Sequence, residues 1–376
     1  MHDVIIVGAG PIGSYTAYLL AKEGLNVAIL EEHSTIGEGV NCTGLVSIRC
    51  FKNFDLPEET ILRPIEAIKA FSPSGNYVEY NTDTGSTLAY VVDRGLFESE
   101  IARMALKEGA TLYLKARVKK INITDDAFRV ETEGGNEFRS KVGVVATGFE
   151  LNPLTSERPE EFLYGVQIDG ELKEIRDIEV YFGRKIAPGS FAWVVPTNGK
   201  SAKIGLITGK NPAAYLKDFL QSPLITHRLE VCDNQIRCSP IPIKGIPRSY
   251  GERFVVVGEA AGQVKATTGG GIYFGLLCSE IAAETILKAS HQKNFSEAIL
   301  KEYEIKWKNR LGPELKVGYY LRNLFSRLSD RQIDILINLA SKDVFPVIRE
   351  RADFDWHKGL IISLLQHTPL KRLFKI

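Results

Sequence analysis

The chain is poor in cysteine, with five in 376 residues, at positions 42, 50, 232, 238 and 278. An odd, scattered set excludes a disulfide framework, and no Cys-x-x-Cys pair is present to hold a metal. A reducing cytoplasm is the expected compartment; Cys232 and Cys238 read as two unrelated thiols, with a bridge between them or to a partner thiol as the open alternatives. No uninterrupted apolar run of about 18 residues occurs, so a spanning helix is not expected. The first residues enter an apolar strand without a basic leader, so no secretory signal is expected either. Excess charge of one sign is also missing. The 47 basic residues offset 46 acidic ones, which removes any global attraction to nucleic acid. The six histidines (2, 33, 227, 291, 357 and 367) show no metal-ligand spacing and read as surface or loop residues. No metal site and no Ser-His-Asp arrangement is expected.

What remains is an ordinary globular composition, 44% hydrophobic and 25% charged, in a chain long enough for two lobes. Two glycine turns stand out. The first is Val4-Ile-Ile-Val-Gly-Ala-Gly-Pro-Ile-Gly13. Its Gly8-x-Gly10-x-x-Gly13 spacing after a buried strand lets backbone approach a diphosphate closely and aims a helix N-terminus at the negative charge. Glu31 closes the next apolar strand, Asn26-Val-Ala-Ile-Leu-Glu31, where a carboxylate can accept from a ribose hydroxyl pair. Alone, this turn indicates only a dinucleotide. The second, Phe254-Val-Val-Val-Gly-Glu-Ala-Ala-Gly262 followed by Thr267-Thr-Gly-Gly-Gly-Ile272, adds a Gly-acid pair of the kind that holds a ribityl chain. A glycine run opening a helix then presents amides to a flat ring, and together the two turns predict FAD. No second GxGxxG follows, so no separate nicotinamide domain is expected. Electrons then come from transient NAD(P)H or a small electron-carrier protein.

The expected fold is α/β: a Rossmann-like FAD-binding fold with a second, sheet-based substrate domain and a C-terminal helical region. The FAD lobe is assigned to 1–64, 91–150 and 241–295, the substrate lobe to 65–90 and 151–240, and the helical closure to 296–376. A hairpin is expected around Ser72-Pro-Ser-Gly75, and helices at 96–108 and 273–289. Strands are expected at 111–121, 128–132, 137–140, 142–148, 162–169, 178–182, 190–195 and 201–208. A helix from Glu297 to Leu311 should stop at Gly312-Pro313. Ser329-Asp-Arg-Gln332 reads as a capping box before another helix. The last twenty residues combine leucines and isoleucines with Lys358, Lys371, Arg372 and Lys375. They read either as a peripheral membrane contact or as a helix packed on the body with solvated lysines.

The ordered set Gly8-Ala-Gly-Pro-Ile-Gly13, Glu31, Asn41-Cys-Thr-Gly44, Asp93-Arg94, Phe191-Ala-Trp-Val-Val-Pro196, Gly258-Glu-Ala-Ala-Gly and Thr-Gly-Gly-Gly-Ile272 resembles the geranylgeranyl reductase family of flavoproteins, within the wider para-hydroxybenzoate hydroxylase class. The similarity spans nearly the whole chain and is weakest beyond residue 300. It implies non-covalent FAD and reduction of isolated carbon-carbon double bonds in polyprenyl lipids. By the same resemblance Ile12, Glu31, Cys42, Thr43, Gly44, Arg94, Glu259, Gly271 and Ile272 contact FAD, with Val118 as an adenine neighbour. Phe191, Trp193 and Pro196 belong to a motif lining the lipid cavity. Glu259 stands where Asp is usual, Val195 where Phe is usual and Ala266 where Pro is common. Gly205-Leu-Ile lacks a second glycine. These departures bear on substrate shape.

An unactivated alkene accepts hydride only if protonation develops positive charge at the other carbon. The site therefore needs an acid and a water-poor pocket. Trp193 can stabilise that charge through its ring face, about 1–2 kcal/mol when desolvated, or simply pack a strand. Cys42 can relay a proton, or be a structural thiol. Two rivals share the flavin: a monooxygenase or halogenase, and a membrane-surface electron-transfer flavoprotein that reduces quinone.

Overall fold

The computed structural model describes residues 1–81, 86–149, 161–233, 235–341 and 345–367. Its nucleus is an eight-stranded sheet in which His2–Val7 lies between Glu137–Val145 and Val27–Leu30, parallel to both. Phe254–Val256 extends it in parallel beyond Glu137–Val145, and Thr111–Tyr113 does so beyond Val27–Leu30. Val4, Ile5, Ile6 and Val7 are buried on both faces of the sheet, which is why this strand reads as a continuous apolar run rather than an alternation. Helices Pro11–Lys22, Arg94–Lys107 and Ile272–His291 share one core with the sheet.

Two expected strands, 137–140 and 142–148, are one. Glu137–Val145 pairs antiparallel with Phe128–Thr132 over its first half and parallel with Phe254–Val256 over its second. Conversely, the stretch expected as one strand at 111–121 is two, Thr111–Tyr113 and Val118–Ile123. They are broken at Lys115, whose φ is +54°, a left-handed conformation that ends a strand.

A second eight-stranded sheet is built around Phe162–Leu172. Its neighbours are Ser201–Thr208 on one side, and Leu229–Cys232 and Arg237–Pro242 on the other. The order continues through Ala192–Pro196 and Ile178–Tyr181 to the hairpin Ala67–Phe71 and Tyr77–Asn81. Cys232 pairs with Gly170 and Cys238 with Val166, four strand positions or about 13 Å apart. That separation is beyond disulfide reach, and both thiols are free. A three-stranded sheet, Leu45–Ser47, Ala89–Val92 and Ile61–Ile65, joins the lobes; sequence patterning did not anticipate it.

The expected stop at Gly312-Pro313 does not occur, because Glu297–Phe325 is one 29-residue helix with Pro313 inside it. An interior proline costs about 3 kcal/mol, but the helix is anchored on both sides of it. Leu300, Tyr303, Trp307 and Leu311 enter the core before the proline. Beyond it, the Glu314 carboxylate accepts the backbone N–H groups of His357 and Lys358 at 2.6 and 2.9 Å. The capping box at Ser329 forms as expected, starting helix Asp330–Ala340. Of the apolar, basic C-terminal segment, helices Phe345–Arg351 and Lys358–His367 are described, with Ile361 buried and Ile362 exposed. Residues 368–376 lie outside the described residues. No helix among the described residues is long and apolar enough to cross a membrane.

The long helix is tied to the second glycine turn by a buried chain of hydrogen bonds. The Gly258 N–H donates to Gln263 Oε1 at 2.7 Å, the Gln263 amide donates to the Tyr303 hydroxyl at 2.8 Å, and that hydroxyl donates to the Val256 carbonyl at 2.8 Å. Tyr303→Phe leaves a buried donor and a buried acceptor unpaired. It should destabilise the protein by about 1–3 kcal/mol in urea unfolding; an unchanged midpoint would show that this chain carries no stability.

Candidate functional site

The ends of three parallel strands meet at one edge of the first sheet and open on a cavity of about 1360 Å³. Gly8 ends the first strand at φ +102°, and a Cβ there would stand 2.5 Å from the Ala146 carbonyl oxygen. A Cβ at Gly13 would stand 2.1 Å from the Gly8 oxygen. These two glycines let backbone pass backbone. Gly10 differs: nothing lies within 4 Å of where its Cβ would be. It caps helix Pro11–Lys22 without a side-chain cap, and no acid sits in the first turn, so that N-terminus faces the cavity with free donors. Glu31, at the end of the neighbouring strand, accepts the Ala9 N–H at 2.8 Å and the His33 N–H at 3.0 Å. Burial works against the His33 cation, but the Glu31 contact at 2.6 Å outweighs it and raises its pKa.

The second turn lies opposite. Gly258 (φ +69°) packs on Ile12 of the first helix. Glu259 faces the cavity and Gly148, with no hydrogen-bond donor from the described protein groups. Burial raises its pKa to about 7, and the nearby Arg94 cation only partly opposes this. Arg94 is ion-paired with Glu98, while its Nε is buried without an acceptor. Helix Ile272–His291 begins at Gly271, again with no side-chain cap and no acid in its first turn. Two uncapped helix N-termini, about 260 residues apart in sequence, thus open on one space.

Beyond these turns the cavity becomes apolar, walled by Ile68, Ile178, Val180, Phe191, Trp193 and Ile207. Trp193, Gly205 and Gln167 form one row across three strands. A Cβ on Gly205 would stand 2.5 Å from Trp193 Cζ2, so this glycine makes room for the indole. Several buried polar atoms of the cavity have no partner among the described residues: Trp193 Nε1, both amide atoms of Gln167, Ser190 Oγ and Thr147 Oγ1.

Of the residues singled out from sequence, Gly8, Gly10, Ile12, Glu31, Cys42, Thr43, Arg94, Val118, Glu259, Gly271, Ile272, Phe191 and Trp193 line this cavity. Three do not. Gly13 lies behind the first turn, and Gly44 (φ +76°) supports the wall, where a Cβ would stand 2.4 Å from the Val92 oxygen. Pro196 is a correction: by strand alternation it shares the face of Ala192 and Val194, away from Trp193 and Val195. The Cys42 sulfur accepts the Gly44 N–H at 3.5 Å.

No local pattern announces the segment 352–357, which closes one side of the cavity. Buried Lys265 donates to Asp355 Oδ1 and to the Phe354 carbonyl, both at 2.9 Å, and Gly270 leaves room for its stem. His357, expected as a surface or loop histidine, is a loop residue in the cavity wall. Burial and the Lys265 charge lower its pKa to about 4. Its neutral ring places Nε2 3.1 Å from the Phe354 carbonyl, which can only accept, so Nε2 carries the proton and Nδ1 accepts from the Thr267 hydroxyl at 2.7 Å. Sequence separations near 90 residues conceal both contacts from local patterns.

The raised Glu259 pKa has a sign that can be checked. Between 4.5, its ordinary value, and about 7 the native protein holds a proton that the unfolded chain has lost, so this carboxyl makes stability fall as pH rises. Glu259→Gln should therefore gain stability relative to the parent as pH increases through that window in thermal unfolding. A constant difference between the two proteins would refute a buried, protonated carboxyl.

A sequence model of the Thi4 family matches residues 1–119. The digeranylgeranylglycerophospholipid reductase of Methanocaldococcus jannaschii is 34% identical over 357 residues, covering 89% of this chain and 90% of that protein. Digeranylgeranylglycerophospholipid reductase 1 of Methanococcoides burtonii is 32% identical over 373 residues, covering 91% and 88% respectively. Among solved structures, a geranylgeranyl bacteriochlorophyll reductase-like protein of Thermoplasma acidophilum superposes with a TM-score of 0.85 at 21% identity over 97% of this chain and 98% of that one. A flavin-dependent brominase does so with 0.76 at 16% identity, covering 97% and 98%. The two structural likenesses give the fold, which reductases and halogenases share. The sequence relationship, sustained over nine-tenths of both chains at 34% identity, distinguishes between them: the chain belongs to the geranylgeranyl reductase family of flavin-dependent oxidoreductases.

Proposed function

We propose that this protein binds FAD across its two glycine turns and saturates isolated double bonds in the geranylgeranyl chains of a glycerophospholipid. The observation that carries the reading is the pair of uncapped helix N-termini facing one cavity that continues into an apolar lobe. The residues fit the cofactor. Gly10 leaves an open cradle where a side chain would intrude, and the donors of Ile12 and Gly13 suit a diphosphate. The Glu31 carboxylate suits ribose hydroxyls and disfavours a 2′-phosphate. Val118 suits the adenine, and Glu259 the ribityl hydroxyls. Cys42, Thr43, Arg94, Gly271 and Ile272 surround the ring, with Gly44 supporting that wall from behind. When bound and reduced, the flavin supplies a hydride.

The protein's own groups do the rest. Phe191 and Trp193 hold the prenyl chain and exclude water, which preserves positive charge developing on the alkene and lets the indole face stabilise it. Cys42, set in the loop between the two turns, is assigned as the proton donor. The relatives are named for digeranylgeranylglycerophospholipid, whose long apolar chains suit the lobe around Ile68, Ile178 and Val180. Contact with the bilayer is peripheral, and the electron donor is NAD(P)H or a small carrier protein.

Purified protein reconstituted with FAD and reduced by dithionite should raise the mass of digeranylgeranylglycerophospholipid by two hydrogens per double bond. Lipid recovered at unchanged mass while the reduced flavin still reacts with a quinone or with oxygen would reject the assignment. Gly10→Val should leave the unfolding midpoint nearly unchanged, because its Cβ meets nothing within 4 Å. It should weaken FAD binding about tenfold or more, roughly the loss of one good contact. Retained affinity in equilibrium dialysis would move the diphosphate elsewhere.

A further inference from the structure

The long helix brings one unneutralised cation into the cavity wall. Arg322 stands there beside Leu321 and Phe325, and Phe325 packs on Phe182 at 5.3 Å between ring centroids. The one protein acceptor Arg322 meets among the described residues is the Gly189 carbonyl, at 3.3 Å. Among the described residues no carboxylate is paired with it. Burial alone acts on its titration, lowering the pKa from the usual guanidinium value. The next residue along from Gly189, Ser190, is 3% exposed and its Oγ has no partner, and it lines the same cavity. A guanidinium offers five donors and no acceptor. Placed in an apolar wall with no anion paired to it among the described residues it is costly, and the unpaired Ser190 hydroxyl can donate alongside it.

We propose that Arg322 and the Ser190 hydroxyl form an anion subsite that takes a phosphate ester, supplied by the headgroup of the lipid substrate. This rests on the reading of the cavity as a prenyl-lipid site, and deepens it. The apolar lobe holds the chain by surface area alone, which cannot distinguish one prenyl compound from another of the same length. A charge-assisted, two-pronged contact at the headgroup makes that distinction.

The test uses the FAD-loaded protein and two ligands sharing one C20 chain, geranylgeranyl phosphate and geranylgeraniol, with binding measured by equilibrium dialysis and reduction followed with dithionite. Arg322→Met should weaken the phosphate ester about 10–100-fold, as expected for losing a charged hydrogen-bonded contact. The alcohol should stay within about twofold, and Arg322→Lys should recover part of the loss. Equal weakening of both ligands, or of neither, overturns the subsite while leaving the lipid reading intact. If the parent protein binds neither ligand, the lipid reading fails and the subsite with it. If inorganic phosphate alone raises the melting temperature of the parent but not of Arg322→Met as strongly as the phosphorylated lipid does, the subsite serves a free anion and the headgroup assignment falls.

Discussion

The structure depends on the parallel register of three strands drawn from the beginning, the middle and the last third of the chain. His2–Val7, Glu137–Val145 and Phe254–Val256 are held side by side, so Gly8, Ala146 and Gly258 arrive at the same edge. The contact is so close that a single added carbon at Gly8 or Gly13 would overlap backbone. The paired ends of these strands, Val4 to Val7, Val142 to Val145, and Val255 with Val256, are buried on both faces, and full burial of a side chain of this size contributes about 1.5–3 kcal/mol. The register is consequently strongly specified, since slipping it would carry apolar side chains to the wrong positions.

The cavity that opens there is electrically two-part. Near the glycine turns it offers helix N-termini, unpaired backbone donors and the Arg94 guanidinium, an environment for a polyanion. Acids also stand in that region: Glu31 is held by the Ala9 and His33 N–H groups, whereas the raised pKa of Glu259 is the response of a carboxyl kept from water. Farther on, aliphatic and aromatic walls take over around Trp193, with a few buried polar atoms left without partners. Buried polar groups are normally paired, so their concentration along one cavity marks where other molecules complete the bonding.

Much of this was legible in the sequence because it is local. A glycine spacing, a strand-terminal acid and a capping box each sit within a few residues, and all took the expected form. The hairpin around Ser72-Pro-Ser-Gly75 was equally readable. What failed was non-local. Pro313 carries a strong stop signal, but contacts made by Tyr303, Trp307 and Glu314 with distant segments override it. Lys265 meets Asp355 and Thr267 meets His357 across some 90 residues, with nothing in either neighbourhood to announce the pairing. Pro196 was misjudged for a different reason: a linear motif does not state which face each of its residues takes, and strand alternation turns Pro196 from the cavity that Trp193 enters.

The closing segment 352–357 has a bearing on how the protein matures. Both glycine turns lie within the first 272 residues, whereas the wall supplied by Asp353, Phe354, Asp355 and His357 is made some 80 residues later. During synthesis the pocket therefore exists first as an open cleft, accessible from the side that these residues later seal. The Lys265–Asp355 pair and the Glu314 contacts with His357 and Lys358 fasten that late wall to elements made earlier, so closure of the cavity is coupled to completion of the chain's own fold.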